Sequence, residues 1–220
     1  FSPSQFNPLN LNPLRDILAA QVDFARLRAE SATRLFIAAT NVRTGMPRVF
    51  RTPEITADVV LASACLPWLH RTVEIDGEAY WDGGLSANPP VRPLLYEGEA
   101  RDIVLVLLQP ARRPAVPVIA DDIWSRLTEM NFTAALHAER EGIALAKREA
   151  ERSRFSFGRL ERKLRRLTLH RICAPEALSK LSKVNTSAVF MQTLYDAGRA
   201  QADVWLRDGT KSMKMVDTGV

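Results

Sequence analysis

Apolar residues recur along the chain at two spacings, one typical of helices and one typical of strands. Spacings of three and four predict helices, at residues 15–28, 57–64, 121–150 and 187–206. Short apolar runs predict strands, at residues 35–40, 48–51, 102–108 and 167–173. Residues 1–14 are rich in Pro and Asn and predict an irregular arm. Because strands alternate with long helices, the pattern favours an α/β sandwich with a largely parallel sheet.

Two of the strand signals are specific. Residues 73–81 alternate around Asp76-Gly77, which predicts a hairpin because Gly tolerates the positive φ of a tight turn. The run DIVLVLL at 102–108 is apolar throughout, which predicts a strand buried on both faces of a parallel sheet. A proline-rich loop is expected at 110–117.

Residues with side chains suited to N-capping predict where two of the helices begin. Thr56 is the predicted N-cap of the helix at 57–64, since its hydroxyl can accept a hydrogen bond from a backbone N–H of the first turn. Asp121 or Asp122 is the predicted N-cap of the long helix that follows the proline-rich loop.

The composition is that of a globular protein, and it predicts one domain over residues 1–220. Of the 220 residues, 46% are hydrophobic and 25% are charged. No run of about 18 apolar residues is present, so no membrane-spanning helix is predicted. Cys65 and Cys173 are expected to be free thiols in a reducing compartment, and no Cys/His cluster has the spacing of a metal site. The expectation is a cytoplasmic protein, peripheral to the membrane at most, without metal or cofactor.

The net charge of +5 owes much to one basic segment, predicted as an exposed insertion at about 152–166. Leu160, Leu164 and Leu167 lie at helical spacing there, so the segment could lay a short helix on an anionic membrane. The cations would then be Arg159, Arg162, Lys163, Arg165 and Arg166. A solvated charged loop is the favoured alternative. Nucleic-acid binding ranks last, because no aromatic residues alternate with the arginines.

The strongest candidate for chemistry is Asp82, which ends the predicted hairpin before Gly83 and Gly84. An Asp before two glycines can lie where the backbone approaches a substrate closely. The alternative is a glycine turn in which Asp82 caps the next segment, and the local sequence supports the two equally. Asn88-Pro89-Pro90 follows shortly after.

The surroundings of Asp82 resemble the bacterial patatin-like phospholipase family. The resemblance rests on a helix that ends in Ala62-Ser63-Ala64 before Pro67, on Tyr80-Trp81-Asp82-Gly83-Gly84, and on Asn88-Pro89. Residues 38–45 and 102–106 also resemble core strands of that family in the same order. The resemblance implies a three-layer α/β/α sandwich and hydrolysis of lipid acyl esters.

The resemblance implies a Ser/Asp dyad without histidine, in which Asp82 is the general base and an external lipid or ester is the substrate. Gly83 and Gly84 would shape the turn and are candidate substrate-binding residues. Trp68 and Trp81 are candidates for substrate binding in the pocket or for packing. However, the sequence contains no G-x-S-x-G motif and no glycine-rich oxyanion loop. The chain is therefore expected to be the C-terminal portion of the fold, with its missing N-terminal half as a partner. A catalytically inactive remnant that binds or regulates is the alternative function.

Other side chains offer weaker candidates. Ser86 lies in Gly84-Leu85-Ser86-Ala87-Asn88, which fails the motif at its fifth position, and Ser63 lies within a predicted helix. His70, His137 and His170 are each interpreted as structural, and His70 is the one close to Asp82 in sequence.

Overall fold

The protein is described here by a computed structural model, which covers residues 2–108, 115–153, 158–174 and 187–207. Its helices are α1 Pro3–Phe6, α2 Pro13–Gln21, α3 Phe24–Glu30, α4 Ala57–Ser63, α5 Arg92–Glu97, α6 Ala120–Arg152, α7 Arg159–Arg166 and α8 Ala188–Arg207. Its strands are β1 Phe36–Asn41, β2 Pro47–Arg51, β3 Val73–Ile75, β4 Glu78–Asp82, β5 Asp102–Leu107 and β6 Thr168–Cys173. The chain forms two compact units, one of residues 1–98 and 130–142, the other of residues 99–129 and 143–220.

The first unit contains a four-stranded sheet in the order β2-β1-β4-β3, and each neighbouring pair is antiparallel. Tight connections explain the β1-β2 and β3-β4 pairs, since strands joined by a few residues must reverse direction, whereas β1 and β4 pair across a long stretch of chain. The hairpin predicted at Asp76-Gly77 is confirmed, with positive φ angles of 54° and 78° at the two residues.

The core of the first unit lies between this sheet and α4. Ala39, Phe50 and Tyr80 from the sheet pack with Val59 and Ala62 from the helix. The rings of Phe50 and Tyr80 meet edge to face, with their centroids 5.7 Å apart. The core therefore holds β4, and with it the segment that ends at Asp82, against α4.

Thr56 is confirmed as the N-cap of α4, since its side chain accepts from the N–H of Val59. The long helix differs from the prediction. Ile119 occupies the N-cap position of α6, and Asp121 and Asp122 lie in its first turn. In the first turn, the two carboxylates still interact favourably with the positive end of the helix dipole.

The second unit contains a two-stranded parallel sheet of β5 and β6, with Asp102 paired to Thr168 and Leu107 paired to Cys173. Both strands were predicted, but β5 is not buried on both faces within the described residues. Burial alternates along it, so that Ile103 is buried whereas Val106 is 65% exposed. A continuous apolar run thus predicts a strand but does not ensure that both of its faces are covered.

The N-terminal region also departs from the prediction. The helix expected at 15–28 is two helices, α2 and α3, because Val22 is extended and Asp23 starts α3 by accepting from the N–H of Arg26. The arm expected at 1–14 contains α1 and the start of α2. Of the proline-rich loop, residues 109–114 lie outside the described residues.

The fold is mixed α/β, as the alternating elements predict. The three-layer α/β/α sandwich with a largely parallel central sheet is not found in the described residues, where parallel pairing is confined to β5 and β6. Local hydrophobic patterns predict strands well, but they do not specify which strands pair. A single domain over 1–220 stays a prediction.

Candidate functional site

Asp82 is the last residue of β4 and is followed by a 3₁₀ turn, Gly83–Leu85. Three hydrogen bonds hold it. Its N–H donates to the carbonyl of Cys65 at 2.9 Å, and its own carbonyl accepts from the hydroxyl of Thr40 at 2.8 Å. Its Oδ1 accepts from the N–H of Gly84 at 2.7 Å. Both the backbone and one carboxylate oxygen of Asp82 are thus fixed, and Oδ2 has no hydrogen-bond donor among the described residues.

Burial makes the carboxyl group of Asp82 a stronger base than a free aspartate. The side chain is half-buried, and burial raises its pKa above the ordinary value, while the bond from Gly84 N–H partly opposes the rise. Among the described residues no Arg, Lys or His forms an ion pair with it, in contrast to Asp58 and Asp76, which pair with arginines. A half-buried carboxylate without a cation is a candidate catalytic group.

The two glycines after Asp82 are closely packed, Gly83 against backbone and Gly84 against a side chain. A Cβ on Gly83 would lie 2.1 Å from the carbonyl oxygen of Ala38 in β1, and a Cβ on Gly84 would lie 2.5 Å from the ring of Phe132. The predicted close approach therefore exists, but at Gly83 it is to the protein's own backbone. A substrate contact of Gly83 or Gly84 stays a prediction.

Cys65 lies directly behind Asp82. Its thiol is buried and donates to the carbonyl of Arg71 at 3.0 Å. Burial raises the pKa of Cys65 to about 11, and the nearby charge of Asp82 adds to the rise. Since only thiolates are good nucleophiles, Cys65 is a packing residue at neutral pH.

Neither serine near the site is bonded to the carboxylate of Asp82. Ser63 donates to the carbonyl of Val60 within α4, at 2.8 Å. The hydroxyl of Ser86 lies 2.8 Å from the hydroxyl of Thr40. Both hydroxyls thus have hydrogen-bond partners other than this carboxylate, and Ser63 lies within a helix, as predicted.

The two tryptophans proposed for substrate binding lie in different surroundings. Trp68 is 53% exposed in the turn after α4, next to the exposed Leu69. Trp81 is partly buried on β4, where side chains alternate between faces, so it lies on the other face from Tyr80 and Asp82. Contact of either tryptophan with a substrate stays a prediction.

The histidines have separate environments. In the first unit, Nδ1 of His70 accepts from the N–H of Leu66 at 3.3 Å, and His137 is exposed on α6. Neither forms a hydrogen bond with Asp82. In the second unit, His170 is buried and lies 2.8 Å from a carboxylate oxygen of Asp102. This pairing supports the structural interpretation of His170.

A cavity of about 450 Å³ lies beside the N-terminal arm in the first unit. Its wall is mostly polar and includes Asn7, Asn12, Arg15, Asp58, His70 and Arg71. Asp82, Trp68 and Trp81 are not part of the wall. Sequence reasoning missed this cavity, since residues of the arm and of the hairpin meet there only in three dimensions.

The basic segment forms α7 and packs within the second unit; residues 154–157, before it, lie outside the described part. Leu164 and Leu167 are buried, and Leu160 is partly exposed. Arg165 donates to the carbonyl of Ala150 at 2.7 Å, and Arg159 pairs with Glu99. Two of the three leucines predicted to face a membrane are thus covered by protein. Membrane contact through this segment stays a prediction.

The described part of the chain was expected to have neither a metal site nor a membrane-spanning helix. No group of three or more His, Cys, Asp or Glu side chains there is arranged to hold a metal ion. Among its helices, none combines the length and the apolar character that crossing a bilayer requires.

A comparison with protein families supports the resemblance seen in the sequence. Residues 4–95 match the model of the family described as patatin-like phospholipase. The matched region runs from α1 into α5 and includes Asp82, Gly83 and Gly84. A comparison with curated proteins finds no match.

Proposed function

From the premise that the chain is patatin-like over residues 4–95, we propose that it supplies the general base of a lipid acyl hydrolase. The base is Asp82. The observation that carries the proposal is the half-buried carboxylate at the end of β4, which has a raised pKa and no cationic partner among the described residues. An ion pair would stabilise the carboxylate and weaken it as a base. A carboxylate without an ion pair is therefore better able to accept a proton.

The nucleophile is a serine on a G-x-S-x-G segment of polypeptide outside these 220 residues, which contain no such motif. That segment would also complete the three-layer sandwich. As the serine oxygen attacks the ester carbonyl, Oδ2 of Asp82 takes the hydroxyl proton and later delivers it to the leaving alcohol. A water molecule then attacks the acyl-serine as Asp82 takes one of its protons, and the proton passes to the serine oxygen as the acyl–oxygen bond breaks and the carboxylic acid leaves. No metal or cofactor takes part.

Gly84 prepares Asp82 for this role. Its N–H donates to Oδ1 at 2.7 Å and restrains rotation of the carboxylate, which leaves Oδ2 to accept the serine proton. Holding a catalytic group in place before the reaction removes an entropic cost from the transition state. Trp68, exposed beside Leu69, is the proposed contact for the acyl chain of the substrate.

The rival function is that of an inactive remnant that binds or regulates, which the lack of a G-x-S-x-G motif favours. A simple experiment distinguishes the two functions. The purified chain alone should not hydrolyse short acyl esters or react with a fluorophosphonate probe under either proposal. Joined to a G-x-S-x-G polypeptide of the family, it should do both only if it is half of an enzyme.

Asp82→Asn tests the role of the base in that joined protein. Asn can still accept from Gly84 but cannot take a proton, so hydrolysis should fall by at least about 10²-fold, the low end for a positioned base. Asp76→Asn is the matched control, because Asp76 lies in the exposed turn of the same hairpin and should be dispensable for hydrolysis. Substantial hydrolysis by the Asp82→Asn protein would assign the base elsewhere.

A further inference from the structure

Thr40 is a polar residue in a position that strands usually give to apolar ones. It lies near the end of β1, opposite Trp81 in the sheet, and is only 5% exposed. Its hydroxyl has two partners, the carbonyl oxygen of Asp82 and the hydroxyl of Ser86, each at 2.8 Å. A buried hydroxyl with two short hydrogen bonds is a specific feature of the structure, because polar groups are costly to bury unless they are paired.

The direction of the protons in this cluster follows from counting donors. A threonine hydroxyl has one proton, and that of Thr40 is donated to the carbonyl of Asp82, which can only accept. The hydroxyl of Ser86 must therefore donate to Thr40. The chain runs from Ser86 through Thr40 to Asp82, and each bond polarises the next.

This chain of hydroxyls closes the turn that carries Asp82. Asp82 lies immediately before the 3₁₀ turn Gly83–Leu85 and Ser86 immediately after it. Thr40 therefore joins both ends of the turn to β1. Within the turn, the N–H groups of Ser86 and Ala87 donate to the carbonyl of Gly83, at 3.1 and 2.8 Å. The N–H of Gly84, which binds the carboxylate, is held in the middle of the closed turn.

We propose that Thr40 and Ser86 are positioning residues, whose paired hydroxyls fix the turn that holds the carboxylate of Asp82. They act on Asp82 through its carbonyl and through the turn, not by contact with a substrate. Their importance for catalysis rests on the proposed function, whereas their effect on the carboxylate of Asp82 does not. The two can therefore be tested separately.

The first test uses NMR on the full chain without any partner. The amide proton of Gly84 donates to a carboxylate, so its chemical shift should change strongly when Asp82 loses its proton. In Thr40→Val, which keeps the shape but removes the hydroxyl, this change should lose most of its amplitude. Thr40→Ser restores a hydroxyl and should recover it. Ser86→Ala should give a smaller loss, since the bond from Thr40 to Asp82 remains.

Thr56→Val is the control for a general loss of stability. It removes the N-cap of α4 in the same unit, but it leaves the turn after Asp82 untouched. The Gly84 amplitude should stay at the wild-type value in this variant. A wild-type amplitude of the Gly84 shift change in Thr40→Val would overturn the proposal. An equal loss of that amplitude in Thr56→Val and Thr40→Val would overturn it as well. If Thr40→Val does not fold, Ser86→Ala decides, and a wild-type amplitude there would refute the closed turn.

The second test addresses catalysis in the joined protein described above. Thr40→Val should lower kcat with little change in KM, because the base is misplaced while the substrate contacts remain. Thr40→Ser should recover kcat. If the Gly84 amide responds in the variants as expected but the joined wild-type protein is inactive, the proposed function is contradicted and the positioning of the carboxylate is not. An altered Gly84 amplitude with unchanged kcat in Thr40→Val would overturn the importance of Thr40 for catalysis, whereas its effect on the carboxylate would stand.

Discussion

The two units of the chain bury their apolar residues in different ways. In the first, a four-stranded antiparallel sheet packs on α4, and the side chains of Phe50, Val59 and Tyr80 are almost fully buried. In the second, one face of β5 buries Ile103 and Leu105, whereas Val104 and Val106 on the other face are exposed within the described residues. The candidate site lies in the unit with the better-covered core.

The difference bears on what the proposed general base needs from its surroundings. In that proposed role, Asp82 has to be held to within a fraction of an ångström, and this requires neighbours that cannot move away. The packed core behind β4 and the hydroxyls of Thr40 and Ser86 provide them. The exposed face of β5 provides no comparable support, so substitutions there should have smaller effects.

The largest expected effect is on the core of the first unit. Phe50→Ala removes a ring that is 1% exposed and should lower the free energy of unfolding by about 3–5 kcal/mol. Val106→Ala, on the exposed face of β5, should change it by less than about 0.5 kcal/mol. Denaturant unfolding followed by circular dichroism measures both. Equal losses would mean that Val106 is covered in solution and that the contrast between the units is wrong.

A second comparison concerns two glycines of the first unit. Gly83→Ala places a Cβ 2.1 Å from the carbonyl oxygen of Ala38, so β1 and the turn must separate, and the cost should be about 1–3 kcal/mol. Gly142→Ala meets no atom within 4 Å and lies in the interior of α6, so it should stabilise by about 0.5–1 kcal/mol. Thermal melting distinguishes the two signs. A neutral Gly83→Ala would show that the turn tolerates rearrangement.

The smallest expected effect is the pH dependence of Asp82→Asn. Burial raises the pKa of Asp82 in the folded chain, so the folded state binds this proton more tightly than the unfolded state does. The wild-type protein therefore loses stability as pH rises from the ordinary aspartate pKa to the raised one, and Asn avoids this loss. The melting temperature of the variant minus that of the wild type should increase as pH rises from below the ordinary aspartate pKa to above the raised one. A constant or falling difference would contradict the raised pKa.

Local features of the fold could be predicted from the sequence alone. The hairpin at Asp76-Gly77 and the N-cap at Thr56 depend on the residues that form them and on their immediate neighbours. Asp82 was singled out from the glycines that follow it and from a patatin-like context that the family comparison supports over residues 4–95, and its catalytic role stays a prediction. Such signals are reliable because turn and cap geometry is set by the conformational preferences of a few residues.

Strand pairing and the supports of Asp82 could be found only in the tertiary structure. Thr40 and Ser86 are 46 residues apart, and nothing in either segment indicates that their hydroxyls meet behind Asp82. One signal was available, a threonine at the end of an otherwise apolar strand, but its partner could not be named. The same holds for β5, whose apolar sequence indicates a strand but does not indicate which of its faces is buried. Burial and pairing depend on which distant segments come together, and hydrophobic periodicity describes only one segment at a time.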